Sequence, residues 1–424
     1  MVWCTWGPGW AWHGPWFRMT AVAVLAWFSG YILNNTTGMP ALIAALLVGL
    51  LARNLGYLDM RLHEDVDGFF RKLYPVVILG KASLGWDVYY MKSQWKRILT
   101  LGMVPWAAEV LVLATCTCYL LNFPFIWGIL SGSIYASLSC AVVLPTVSQL
   151  AKTDVSKRNW PQLVCTAGGI DTALSVGVYG LVFSYIFFPT NEAYRITKAA
   201  LTVFIGVALG VSWGTLAKYL PNKQDHYVAE LRVLFILLGG LFCNIFTLYL
   251  GWGGTAGVAV LACNMTAAHH WRSLGWTLNS NPASTAYRVM WAILEPILFS
   301  FTGTFLVFDK ATLNTLILGF GILAICLAVR LMTTAIVCWD FEMREKIYVC
   351  FTWIPKTIVE AVLCPFALTA LHTMASDNIH QLGYAEDIIR ITLQAILITT
   401  PIGYLLTHFV GPMLLRKTGK ANIS

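Results

Sequence analysis

Stretches of about 20 residues with almost no charge recur along nearly the whole chain, separated by short polar turns. At 1.5 Å per residue, a helix of that length matches the roughly 30 Å hydrocarbon core of a bilayer. About thirteen such spans can be drawn: Trp16–Asn34, Met39–Leu55, Phe69–Leu84, Ile98–Leu121, Phe125–Leu150, Trp160–Phe188, Ile196–Tyr219, Val228–Leu250, Gly253–His269, Ala286–Phe308, Leu313–Cys338, Ile347–Leu371 and Ala385–Leu415. Backbone groups in lipid must be satisfied within the protein, and these segments are too long and too evenly apolar for barrel strands. The expected fold is therefore an all-α polytopic membrane protein. Composition agrees, with 58% hydrophobic and 11% charged residues and a mean hydropathy of +0.68, which leaves no stretch for a soluble domain. Residues 1–15, rich in Trp, Gly and Pro, lack the basic start and apolar run of a cleaved signal peptide and read as an N-terminal cap.

Basic residues in the turns orient the bundle. One alternating set of loops holds Lys92, Lys96 and Arg97; Lys152, Lys157 and Arg158; Lys218 and Lys223; Arg272; Arg344 and Lys346; and Arg416, Lys417 and Lys420. The opposite set is poorer, and 372–384 holds no Lys or Arg. This places the C-terminus in the cytoplasm and the N-terminus outside, in the plasma membrane or an organelle membrane. The loop 53–72, with Arg53, Arg61, Arg71 and Lys72, votes the other way. The net charge of +8 is mostly this topological signal, so no nucleic-acid partner is implied. Eleven scattered cysteines show no CxxC pair or Cys/His spacing for zinc. No nucleophile elbow, metal cluster or phosphate loop suggests an enzyme, no cofactor is implied, and "GWGG" at 251–254 reads as a tight turn between spans. His269 and His270 sit at a loop edge, in an interfacial setting.

An ionisable group inside a span is costly and marks a functional site with a partner. Six stand out: Glu109, Asp171, Glu295, Arg330, Lys356 and Glu360. Glu109 and Asp171 fall in the fourth and sixth spans, Arg330, Lys356 and Glu360 in the eleventh and twelfth, which are matching places in an inverted repeat. Helix-breaking residues coincide with them, and breaks in matching halves point to a transporter's midplane site. The fifth span reads "ASLSCAVVLPTV" and the twelfth "FTWIPKTIVEAVLCPF". Ser137, Ser139 and Pro145 in one, Pro355 and Pro365 in the other, are expected to break both helices, leaving free carbonyls and half-helix dipoles that buried charges compensate.

The runs "MPALIAALLVGLLARN", "ASLSCAVVLP", "TAGGIDTALSV", "LAVRLMTTAIV", "EKIYVCFTWIPKTIVEAVL" and "ILITTPIGYLLTHFVGPMLL" resemble the animal NHA branch of the sodium/proton antiporters, in the same order and at similar spacing, from about residue 21 to residue 415. The resemblance implies a homodimer of elevator-type transporters that exchange Na+ or Li+ for H+, with two broken helices crossing at the ion site. It implies dimerisation-domain helices in 16–88 and, with a linker helix, in 195–308; a core domain in 97–188 and 312–415; and a cytoplasmic tail in 416–424. Asp171 matches the first aspartate of the family's pair, and Thr172 stands where the ion-binding second is expected. Glu109 and Arg330 match a core ion pair, Lys356 the lysine after "WIP", and Ser139 the serine of a Ser-Pro break whose proline is here Cys140. Glu360 and Glu295 stand where glutamines are usual, and Phe305 replaces an acid.

A carboxylate suits an antiporter because it either carries a proton or ligates a hard cation. Thr172 offers a neutral oxygen that cannot be displaced by protonation near neutral pH. Glu360 follows Lys356 by four residues, so one helical face is expected to hold both, with Asp171 and Glu360 replacing the missing pair and Lys356 as their switchable partner. Glu109 with Arg330 reads as structural, since arginine keeps its charge. Two other classes stay open: a proton-coupled chloride carrier, favoured by Lys356, Arg330 and helix N-termini, and a transport-dead regulatory partner. Lys81 and Asp87 read as interface residues.

Overall fold

The computed structural model describes residues 9, 11, 14–139, 142–143, 145–147, 160–188, 191–221, 225–273, 275–276, 281–374 and 379–416. These are helical almost throughout, with no strand among the described residues. The helices are α1 Pro15–Thr37, α2 Ala41–Asn54, α3 Glu64–Ser83, α4 Val88–Leu120, α5 Phe125–Tyr135, α6 Trp160–Phe187, α7 Glu192–Tyr219, α8 Val228–Tyr249, α9 Thr255–Arg272, α10 Pro282–Gly303, α11 Lys310–Val337, α12 Met343–Thr352, α13 Ile358–Leu363, α14 Phe366–Thr373, α15 Ile379–Leu405 and α16 Gly411–Arg416. Each of the expected spans overlaps one of these helices or, for the fifth, twelfth and thirteenth, an interrupted helix. Among the described residues, seven helices are long and apolar enough to cross a membrane by themselves. Cys140, Lys152, Lys157, Arg158, Lys223, Lys417 and Lys420 lie outside the described residues.

Helix starts follow local chemistry. Asp87 caps α4 by accepting the Tyr89 amide at 3.0 Å, and Asp309 caps α11 by accepting the Thr312 amide at 2.6 Å. The Thr312 amide and hydroxyl hold the Asp309 carboxyl below the usual carboxylate range. Asp87 also pairs with Arg272 at 3.1 Å. The "GWGG" turn joins α8 to α9, with Gly251 at φ 70° and Gly254 at φ 88°. It packs directly on α6, where a Cβ on Gly180 would meet the Gly254 nitrogen at 2.2 Å.

Two groups of helices emerge from the packing. In one, α2 lies against α1 and α10, α3 against α8, α9 and α10, and α9 against α7. In the other, α4 lies against α5, α6 and α11, and α11 against α15 and α12. Contacts of α6 with α3 and α9, of α13 with α3 and α10, of α14 with α3 and of α15 with α2 join them.

One sequence boundary moves. Helix α3 begins at Glu64, five residues before the expected Phe69, and takes Asp67 and Arg71 into the packed interior. The dissenting arginines of this region are each paired with an acid: Arg53 with Asp59, Arg61 with Glu386 at 3.3 Å, and Arg71 with Asp67 at 2.5 Å. Their vote against the charge bias is therefore carried by neutralised pairs, not by free cations.

Candidate functional site

The two interrupted helices meet. Helix α5 ends at Tyr135, Ala136–Ser139 are not helical, and the helix resumes at 142. Ser139 starts the second piece, its carbonyl accepting the Val143 amide at 3.1 Å and its hydroxyl facing the Val142 amide at 3.4 Å. Pro145 is not the break: the non-helical stretch Ala136–Ser139 ends six residues before it, and 145–147 are helical. On the other side α12 stops at Thr352, because Pro355 has no amide to continue the ladder, and α13 starts after Thr357 with a capping box in which Glu360 accepts the Thr357 amide at 2.9 Å. The breaks are bonded to each other, Ser139 amide to Pro355 carbonyl at 3.0 Å and Ser139 hydroxyl to Thr357 hydroxyl at 2.5 Å.

Around this crossing lies a fully buried charge cluster. Arg330 of α11 donates from Nε to the Trp353 carbonyl at 2.9 Å, from one terminal nitrogen to Glu109 and the Ala136 carbonyl, and from the other to Asp171 at 2.9 Å. It thus holds both breaks and both acids of α4 and α6. Asp171 also accepts the Leu138 amide at 2.7 Å. Lys356 lies 2.7 Å from Glu109 and donates to the Tyr135 carbonyl at 2.5 Å. The expected Lys356–Glu360 face is not formed: Lys356 belongs to the break, not to the helix, so four residues of separation do not stack the two side chains. Glu109–Arg330 is a real contact but one edge of a larger network.

Glu360 differs from its neighbours. It is buried, one oxygen caps α13, and the other, Oε1, receives no hydrogen bond. Ser137 Oγ is buried in the same unsatisfied way. Thr172 is buried, and its hydroxyl donates to the Gly168 carbonyl at 3.0 Å, one turn back in α6. Glu295, by contrast, lies half-buried in α10 facing Lys81 and takes no part in the cluster.

Reading by spans missed Asp67 and Arg71. They are four apart on α3, and beyond Asp67 the Arg71 guanidinium reaches the Ala361 carbonyl at 3.1 Å and the Val362 carbonyl at 3.0 Å on α13. The Asp-x-x-x-Arg spacing just ahead of an apolar run was the available signal.

Interrupted helices that cross at a buried cluster of acids and bases define an ion-coupled secondary transporter of inverted-repeat architecture. The family described as "Sodium/hydrogen exchanger, transmembrane" matches residues 20–411, and the chain belongs to that family. It is 26% identical to sodium/hydrogen exchanger 9B2 of Xenopus tropicalis, over 100% of this chain and 79% of the relative. To sodium/hydrogen exchanger 9B2 of Homo sapiens it is 29% identical, over 91% of this chain and 71% of the relative. The fold superposes on the sodium proton antiporter MjNhaP1 of Methanocaldococcus jannaschii with a TM-score of 0.74 at 16% identity, covering 95% of this chain and 98% of the other. The protein is a multi-pass membrane protein of a transporter family.

Proposed function

We propose that this chain exchanges one monovalent cation, Na+ or Li+, for one proton, with Glu360 as the group that changes partner. The observation that carries this is a charge count at one buried place. Glu109, Asp171 and Glu360 face Arg330 and Lys356, so three carboxylates meet two cations and one negative charge is left over. Arg330 and Lys356 are engaged by Glu109 and Asp171, which leaves the excess on Glu360. A buried single charge is expensive unless neutralised. A proton and a sodium ion each neutralise it, and they compete for the same oxygens. The hydroxyls of Ser139, Thr357 and Thr172 supply neutral ligands, while Asp171, held by Arg330, sets the field.

Exchange of one positive charge for another moves no net charge. The helix group α4–α6 with α11–α15 serves as the carrier and α1–α3 with α7–α10 as the scaffold through which two copies pair. The packing of α7 on α9, α2 on α10 and α4 on α11, more extensive than any contact between the groups, supports this division.

The test is proton flux in proteoliposomes read with a pH-sensitive dye. Flux is expected to follow Na+ and Li+, to persist when gluconate replaces chloride, and to be unaffected when a potassium ionophore clamps the voltage. Flux that follows chloride would overturn the cation reading in favour of an anion carrier; none at all would mark a transport-dead regulator.

A further result is expected for Thr172→Asp. A second carboxylate next to Asp171 must ionise against like charges, so half-maximal exchange is expected to move to higher pH by on the order of one unit. The excess then becomes two charges and flux becomes voltage-sensitive. A profile identical to wild type in both respects would place Thr172 outside the ion path.

A further inference from the structure

Pro365 has no amide hydrogen, so the carbonyl of Ala361, four residues earlier, has no helical donor. Such a buried carbonyl must be satisfied from elsewhere. Both donors come from helices outside the broken one: Arg71 of α3 at 3.1 Å and the Thr302 hydroxyl of α10 at 3.0 Å. The same Arg71 nitrogen reaches the Val362 carbonyl at 3.0 Å. Asp67 fixes the guanidinium from its Nε side at 2.5 Å, and the guanidinium carbon lies 5.1 Å from the centre of the Phe305 ring. The short helix α13 is thus held at its start by its own Thr357 and Glu360 and at its end by two scaffold side chains.

We infer that Arg71, oriented by Asp67 and assisted by Thr302, is a positioning clamp: it ties the proline-freed carbonyl of Ala361, with that of Val362 beside it, to the scaffold in the conformation seen here, and it must let go for the carrier to move. A cleft of about 350 Å³ lies between α3, α6, α8 and α14, with Arg71 in its wall beside Glu64, Lys72 and Thr373. The clamp therefore stabilises the state in which this cleft is open. The inference rests on the carrier-and-scaffold division proposed above, but not on which ion is carried.

The asymmetry of a two-state carrier makes the clamp testable. Losing one hydrogen bond to the clamped state lowers the share of molecules with the cleft open, and apparent affinity from that side falls in proportion. In proteoliposomes, Thr302→Val is expected to raise the half-saturating Na+ concentration about fivefold on the cleft side and to lower it on the other. A cysteine placed at the cleft wall by Thr373→Cys is then labelled about fivefold more slowly by a membrane-impermeant maleimide when Thr302→Val is added. Asp67→Asn, which keeps the shape of the Arg71 contact and removes its charge, is expected to act in the same direction. Unchanged labelling in protein of wild-type melting temperature, or equal affinity changes on both sides, would overturn the clamp. Labelling needs no ion flux, so a wild-type chain without sodium-driven flux that still shows the labelling shift would sink the proposed exchange and leave the clamp standing.

Discussion

Glu360→Gln is expected to fold like the wild type and to carry no sodium-driven proton flux above the liposome background. Glutamine keeps an oxygen able to accept the Thr357 amide, so the cap of α13 survives. What disappears is the leftover charge. With Glu109 and Asp171 alone facing Arg330 and Lys356, two acids balance two bases, and nothing at the site is left to choose between a proton and a cation. Removing a buried charge without a basic partner should leave the melting temperature equal or higher. The dye assay and a thermal melt on one preparation check both halves. Wild-type flux would reduce Glu360 to a helix cap and return the proton-carrying role to Asp171. Asp171→Asn then separates the two acids: it also cancels the excess charge and should stop flux, but it takes a partner from Arg330 and so should lower stability, which Glu360→Gln should not.

The second large effect concerns stability. Arg330 satisfies two carboxylates and two carbonyls freed by the helix breaks, all fully buried. Arg330→Gln takes the cation from Asp171, leaves Glu109 with Lys356 alone, and opens at least one of the carbonyls. Breaking one side of a buried ion pair costs about 3–5 kcal/mol, and here two pairs break at once. A fall in melting temperature on the order of 10 °C in detergent is expected, with loss of a monodisperse peak on gel filtration. Arg330→Lys should recover little, because one ammonium cannot reach acceptors spread around a planar fork. Adding Asp171→Asn to Arg330→Gln should restore part of the loss, since the acid that has lost its ion-pair partner is then gone, and the size of that rescue measures the coupling between the two. A wild-type melt for Arg330→Gln would mean that the network contributes nothing to the fold.

Much of the architecture was legible because the bilayer imposes it. A segment that must satisfy its own backbone in lipid has few shapes to choose from, so apolar length alone yielded the helical bundle, and prolines and serines beside buried charges yielded the two breaks. Where two signals had to be weighed within one segment, reading was less secure. Pro145 reads as a breaker but lies within the resumed helix; the break is at Ala136–Ser139, without any proline. Asp67 falls before the expected span Phe69–Leu84, and Arg71, though inside it, counts with the loop charges; paired, the two extend α3 into the interior.

The identities of the charged residues were set by the sequence by itself, as was the helical class of the fold; the excess of one acid at the crossing needed the packing that keeps Glu295 away from it. Which charges meet was decided only by tertiary structure. Four residues of spacing favoured Lys356 with Glu360, but the break turned Lys356 away from that helix toward Glu109 and the Tyr135 carbonyl, and gave Arg330 to Asp171 as well as Glu109. Local spacing predicts neighbours only while the helix continues. Once it is interrupted, partners are chosen by which carbonyls and carboxylates from distant segments would otherwise be buried alone, and that is a property of the packed molecule.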